Sequence, residues 1–319
     1  MTVKEEPVCE RSVIEATDGH RILVDCWRPE SEVRALLHVF HGLGEHTARY
    51  DRFARQCVAQ GFAVSAHNHR GHGENCAPDG LGHYADKQGW NKVISDALQV
   101  QTEIIDRFPG VPFILFGHSM GSYIAQSFIM RHPAHIDALG LSASTWPNRT
   151  ELRMGRLLAS IFALFLGRPT KSEFLNKMGF GKFNKPFAPN RTDFDWLSRD
   201  PAEVDKYIAD PLCGALSSNQ LWRDLLAGML EISTRKALGK IADLPVLIMG
   251  GELDPVGGTK GLTNLYKAYR ATGHTDVTLK MYADGRHEML NETNHDEVTV
   301  DIVDWCNAVV KNIPDTRQR

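Results

Sequence analysis

The sequence is short of three things, and each absence excludes something. Its six cysteines (Cys9, Cys26, Cys57, Cys76, Cys213 and Cys306) form no CxxC pair and keep no regular spacing. A disulfide framework or a cysteine-built zinc site is therefore not expected, and reduced, mostly buried thiols are. There is no excess of either charge: 36 Lys and Arg stand against 39 Asp and Glu, a balance of −3. Phosphate neutralisation needs clustered Lys and Arg, so no nucleic-acid partner is expected. The third absence is a long hydrophobic run. The longest, residues 157–166 between Arg156 and Arg168, is half of the roughly 20 residues that a transmembrane helix requires. The opening MTVKEEPVCERS is acidic where a secretory leader would be basic and then apolar. A cytoplasmic chain without a membrane span is the expectation.

The remaining composition is ordinary, with 42% apolar and 24% charged residues. A chain of 319 residues buries roughly 75% of its unfolded surface and needs no staple to fold. No internal repeat is visible, so organisation rests on periodicity. Short apolar runs recur at 21–27, 35–40, 63–66, 113–116, 138–141, 244–249 and 277–282. Most are continuously apolar rather than alternating, the mark of strands buried on both faces of a parallel sheet. Helical stripes lie between them, clearest for Trp90, Val93, Ile94, Ala97, Leu98, Ile104 and Ile105, and for Val298, Ile302, Cys306 and Val309. This alternation predicts an α/β protein: a mostly parallel sheet with helices on both faces. Between residues 145 and 243 the strands stop, while aromatic residues and helix-like runs at 157–166 and 219–231 continue. The prediction is one domain in two blocks, 1–144 and 244–319, around a mainly helical cap insertion, 145–243. Insertions after strand carboxyl ends lie over the binding crevice of such sheets.

The sharpest local motif is Gly117-His118-Ser119-Met120-Gly121, directly after an apolar run and directly before a helical stretch. This is the G-x-S-x-G nucleophile elbow in its proper context, where a tight strand-to-helix turn raises a serine Oγ above the sheet. A serine hydroxyl needs a base, and the base needs an orienting acid. In this arrangement the acid and then the histidine follow the serine along the chain. His287 stands just past the run 277–282, at the end where the site must lie. His274 precedes that run, and His295 sits in a polar helix-starting context. For the acid, Gly250-Gly251-Glu252-Leu253-Asp254-Pro255 follows the run 244–249. Asp254 is favoured because the following Pro fixes an extended conformation; Glu252 and Asp284 remain alternatives. The loop His41-Gly42-Leu43-Gly44-Glu45-His46 follows another strand, so the N–H groups of Leu43 and Met120 are the natural oxyanion donors.

HGLGEHTARY, HNHRGHG (residues 67–73), GHSMGS and the segments around Asp254 and His287 together resemble the monoacylglycerol lipase and lysophospholipase branch of the α/β-hydrolases. The resemblance runs from about residue 13 to the C-terminus and is looser in the insertion. It implies the α/β-hydrolase fold, a triad of Ser119, Asp254 and His287, oxyanion donors Leu43 and Met120, and a cap at 145–243. The usual GHSMGG reads GHSMGS here, and the segment 74–86 is longer than the short GHGxS loop of that branch. The first departure touches helix packing, the second substrate choice. His67, His69 and His72 crowd together without the carboxylate that the metal-hydrolase pattern places before its third histidine, so neither metal nor cofactor is expected. Loss of a triad member would mark a non-enzymatic scaffold, and none is lost.

The expected function is cleavage of carboxylic esters, of monoacylglycerol or lysophospholipid type, through an acyl-enzyme. Simple carboxylesterase, thioesterase and aminopeptidase or amidase activities share the same triad. The insertion carries more apolar residues than a short loop needs, which points to Phe162, Phe165, Leu225 and Met229, with Gly42, as substrate contacts. The expected partners are a small ester or single-chain lipid and, through the cap, a membrane or micelle surface.

Overall fold

The continuously apolar runs become the middle of an eight-stranded sheet in the computed structural model of the chain, which describes residues 9–74, 76 and 79–313. The strands are β1 (Cys9–Glu15), β2 (Arg21–Trp27), β3 (Ala35–Phe40), β4 (Phe62–His67), β5 (Phe113–His118), β6 (Ala138–Ser142), β7 (Val246–Gly251) and β8 (Val277–Tyr282). Their order is β1-β2-β4-β3-β5-β6-β7-β8. β2 runs antiparallel to both neighbours, and β4 to β8 are joined by parallel pairings. Every residue of β3 to β7 is buried, as expected of strands with helices on both sides. No apolar run or alternation in the sequence marks the strand at Cys9–Glu15. This edge strand buries only Ile14 fully and exposes Glu10, Arg11, Val13 and Glu15, so its pairing to β2 leaves no apolar run to find. The reading of the N-terminal leader falls mainly on residues 1–8, outside the described residues.

Helices α1 (Asp51–Ala59), α2 (Gly89–Arg107) and α3 (Met120–Arg131) cover the sheet between the first strands. Between β6 and β7 come α4 (Arg149–Phe165), α5 (Glu173–Phe180), α6 (Pro201–Ala209), α7 (Asn219–Ile232) and α8 (Arg235–Leu238). The final pair is α9 (Gly258–Arg270) and α10 (His295–Asn312). Apolar residues of α2, α3 and α9 share one core with one face of the sheet, while those of α1 and α10 share a second core with the other.

All five helices between β6 and β7 begin with a side-chain cap. Asn148, Ser172, Asp200, Ser218 and Thr234 each accept a backbone N–H two or three residues on, which satisfies donors that a helix start leaves open. Extended pairing in this stretch is limited, among the described residues, to one bridge between Lys171 and Ser218. α7 fastens the stretch to the sheet-covering helices. Glu231 accepts from Ser127 at 2.9 Å and from Arg131 at 2.6 and 2.9 Å, and Asp224 accepts from Gly89 N at 3.0 Å. No helix among the described residues is long and apolar enough to cross a membrane.

Candidate active site

β5 delivers Ser119 to a sharp turn. Its φ of 50° and ψ of −119° lie where an L-residue is strained by roughly 1–3 kcal/mol, and two glycines let neighbouring backbone come close enough to hold it. A Cβ on Gly121 would stand 2.0 Å from the Phe40 carbonyl oxygen, and one on Gly42 would stand 2.8 Å from Glu45 Oε1 and 3.4 Å from Ser119 Cβ. Ser122, where the resembled branch has glycine, is fully buried. Its Oγ donates to Ser119 O at 2.6 Å and meets Ser144 Oγ at 2.8 Å, so the hydroxyl ties the elbow to the end of β6 instead of loosening it.

Two side chains converge on the elbow from two further loops. His287 Nε2 lies 3.0 Å from Ser119 Oγ, and His287 Nδ1 lies 2.9 Å from Asp254 Oδ1. Asp254 is buried and also accepts from Val256 N at 2.9 Å. Glu252 and Asp284 are exposed, and neither reaches the imidazole. His274 instead meets Thr272 at the opposite end of the sheet, and His295 starts α10. Burial, the largest influence on His287, disfavours its charge, but the carboxylates of Asp254, Glu288 and Glu45 outweigh it and hold the imidazole above its ordinary pKa. His118, whose ring centroid is 5.0 Å from that of His287, is pushed down to about 4 by burial and by His287.

Several residues that sequence reasoning passed over support this arrangement. Glu45 is buried; its Oε1 accepts from Gly42 N at 2.5 Å and from Tyr50 Oη at 2.9 Å, and its Oε2 accepts from Arg49 at 2.9 Å. Arg49 also grips Glu288, next to the histidine, through two bonds of 2.7 Å. The loop of Gly42 and the loop of His287 are thus locked by one buried ionic cluster. The signal lay in HGLGEHTARY, where Glu45 and Arg49 stand four apart. Across the gap, Trp196 packs its ring 5.0 Å from that of His287. Arg286 donates to the carbonyls of Asp195 and Ser198 and stacks over Phe187 at 4.2 Å.

Above Ser119 opens a cavity of about 570 Å³ lined by Gly42, Leu43, Ser119 and His287 from below, and by Phe180, Phe194, Trp196, Leu197, Tyr207 and Leu216 from the insertion. This size and mixture suit a small organic ligand. Among the proposed substrate contacts Gly42 lines it, but the structure moves the insertion residues elsewhere. Leu225 is buried in the core cluster, and Phe162 stacks on Phe174 with ring centroids 5.7 Å apart. Phe165 is 77% exposed. Met229 lines a second cavity of about 430 Å³ that meets the first at Val256. α4 packs Leu152, Leu158 and Ala159 inward and turns a second apolar stripe, from Met154 to Leu164, to solvent, while α7 turns its apolar face toward the core; neither helix lines the wall above Ser119. His67, His69 and His72 form a buried ring cluster with His38 and His41; their donor atoms do not converge as a metal shell would.

The family model described as serine aminopeptidase, S33 (Hydrolase_4) matches residues 31–294. The chain is 29% identical over 300 residues to the monoglyceride lipase of Mus musculus, covering 92% of this chain and 88% of that one. It is 27% identical over 292 residues to the monoacylglycerol lipase of Mycolicibacterium smegmatis, covering 90% and 93%. In fold it resembles a thermostable carboxyl esterase from Bacillus coagulans, with a TM-score of 0.87 at 24% identity over 95% of this chain and 99% of that one. The chain belongs to the serine aminopeptidase S33 family of α/β-hydrolases, and it is a hydrolase of the lipase and esterase type.

Proposed function

We propose that this enzyme hydrolyses esters of a single acyl chain with a small polar alcohol, of the monoacylglycerol or lysophospholipid type, through Ser119, His287 and Asp254. The observation that carries the reading is the relay of 2.9 and 3.0 Å beneath a cavity walled mainly by apolar and aromatic side chains; the similarity to monoglyceride lipases supports the proposed substrate class. With the Asp254 carboxylate accepting from Nδ1–H, His287 turns the lone pair of Nε2 to the serine hydroxyl. His287 takes that proton as Ser119 Oγ attacks the ester carbonyl. Charge develops on the carbonyl oxygen, facing the N–H of Leu43 and of Met120, which opens α3 and has no acceptor within the helix. His287 then protonates the leaving alcohol. Water, deprotonated by the same nitrogen, attacks the acyl-serine, and the acid leaves as the serine regains its proton.

The insertion acts as the cap of this reading, and its outer face gives it a lipid surface to meet. Met154, Leu157, Ile161 and Leu164 follow one face of α4, and Phe165, Leu166, Phe174 and Met178 extend it; all are at least 43% exposed. Exposed Arg153, Arg156, Arg168 and Lys177 flank them. An apolar patch with a basic rim is suited to a membrane or micelle boundary. Kinetics on monoacyl esters from two to eighteen carbons, with glycerol and phosphoglycerol head groups, test the substrate class. The account expects kcat/KM to favour medium or long chains over acetate by at least about tenfold; a preference for acetate, or for aminoacyl amides, would overturn it. Sedimentation with anionic vesicles, weakened by L164E/F165E, tests the surface.

A further inference from the structure

Behind the loop that carries Gly42 and Leu43, the insertion is sewn to the first block by polar atoms. The carbonyl of Gly44 accepts from Gly214 N at 2.9 Å and from Tyr207 Oη at 3.0 Å. Two residues on, His46 Nε2 lies 2.7 Å from Asp210 Oδ2, and Cys213 N donates to the Asp210 carbonyl at 3.0 Å. The ligand atoms of His46, Asp210 and Cys213 all lie within 4.8 Å of one another. Among the described residues no other trio of His, Cys, Asp and Glu side chains converges in this way. Nothing in the ester chemistry uses these three side chains.

An imidazole nitrogen, a carboxylate oxygen and a thiolate are the donor set of a zinc-type cation, which holds such ligands at about 2.0–2.3 Å and therefore roughly 3.5 Å from each other. To reach that shell the widest spacing closes by little more than about 1 Å, while the His46–Asp210 pair at 2.7 Å opens by somewhat less. His46 is buried, while Asp210 and Cys213 are half-buried. A surface depression of about 260 Å³, lined by His46, Asp210 and Glu203 and by the cationic Arg49, Arg52 and Lys206, opens beside the trio.

We propose that His46, Asp210 and Cys213 form a binding site for one soft divalent cation of the zinc class, which clamps the 210–214 segment of the insertion to the loop that borders Ser119. Binding replaces the His46–Asp210 hydrogen bond. The ring proton moves to Nδ1, the thiol proton leaves to solvent, and Nε2, a carboxylate oxygen and Sγ each donate a pair to the cation, with a fourth position open to the surface. The inference is independent of the catalytic reading, because its readouts do not involve turnover.

The test titrates the full chain, stripped with a chelator, with Zn²⁺ by calorimetry and with Cd²⁺ by ultraviolet absorption of the metal–thiolate bond. The account expects one site per chain, a Tm that rises with Zn²⁺ and not with Mg²⁺, and a thiolate band on adding Cd²⁺. H46Q, D210N and C213S should each weaken binding by more than about tenfold, the least that even an outer-shell partner of a metal costs, and C213S should abolish the band. If H46Q does not fold, D210N and C213S carry the test. No rise of Tm with Zn²⁺ up to millimolar concentration, or a thiolate band that survives in C213S, overturns the proposal.

Discussion

Acidification from pH 7.5 to 5.5 should cost this protein a large part of its stability, because many of its histidines are buried as neutral bases. His67 is pushed down to about 3, and His72 and His118 to about 4, in each case chiefly by burial. All three are at most 6% exposed. The unfolded chain takes up protons at each near pH 6.5, while the folded chain does so only below about 4, so stability is lost as pH falls through this window. At pH 5.5 each site costs about 1.4 kcal/mol, and the three together about 4 kcal/mol. His38, His41 and His69, held well below their ordinary value by burial, act in the same direction. His287 acts oppositely: its raised value adds stability that is complete below pH 6.5 and lost as pH rises through its folded value, so it opposes the others in sign. The sum is of the order of a whole domain's net stability. Urea unfolding at the two pH values, followed by tryptophan fluorescence, measures it. H72Q should flatten the dependence by about 1.4 kcal/mol. A stability that is unchanged or rises between pH 7.5 and 5.5 would refute the reasoning.

The raised value of His287 also predicts that the acid limb of kcat/KM bends at a pH above the ordinary imidazole value of about 6.5; a profile flat down to pH 5 would contradict this. D254N should lower kcat by about 10⁴ with little effect on folding, measured by turnover and circular dichroism, whereas E252Q, altering an exposed carboxylate, should leave kcat within about twofold. G121A forces a Cβ to 2.0 Å from the Phe40 carbonyl and should lower stability by at least about 1–3 kcal/mol, read by urea midpoint. Y207F removes the 3.0 Å bond to Gly44 and should cost about 1 kcal/mol, read in the same way.

How legible the molecule was depends on which physical signal each part leaves in the sequence. Strands β3 to β7 are buried on both faces, so their residues read as apolar runs, and the run before Gly117 gave the elbow its context. β1 is held by backbone pairing at an edge and shows no such pattern. That Ser119, Asp254 and His287 come together was readable because β5, β7 and β8 all end on one side of the sheet. The choice between Asp254 and Glu252 needed the turn itself, which buries one carboxylate and exposes the other. The insertion misled for a different reason. An amphipathic stripe says that a face is apolar without saying what it faces: α4 turns Phe165 to solvent, α7 turns Leu225 to the core, and the wall of the cavity comes from Phe180, Phe194 and Trp196. In the ionic cluster the Glu45–Arg49 half is a local spacing of four, while the Arg49–Glu288 half joins residues 239 apart in sequence, beyond the reach of any local pattern.

The central claim is that Ser119 is a nucleophile made reactive by His287. A fluorophosphonate added to the folded enzyme, followed by peptide mass analysis, tests it directly. The account predicts one stoichiometric adduct on Ser119, loss of hydrolysis in proportion to labelling, and no adduct in S119A or after urea unfolding. Labelling that falls on another residue, or hydrolysis that persists in S119A, would contradict it.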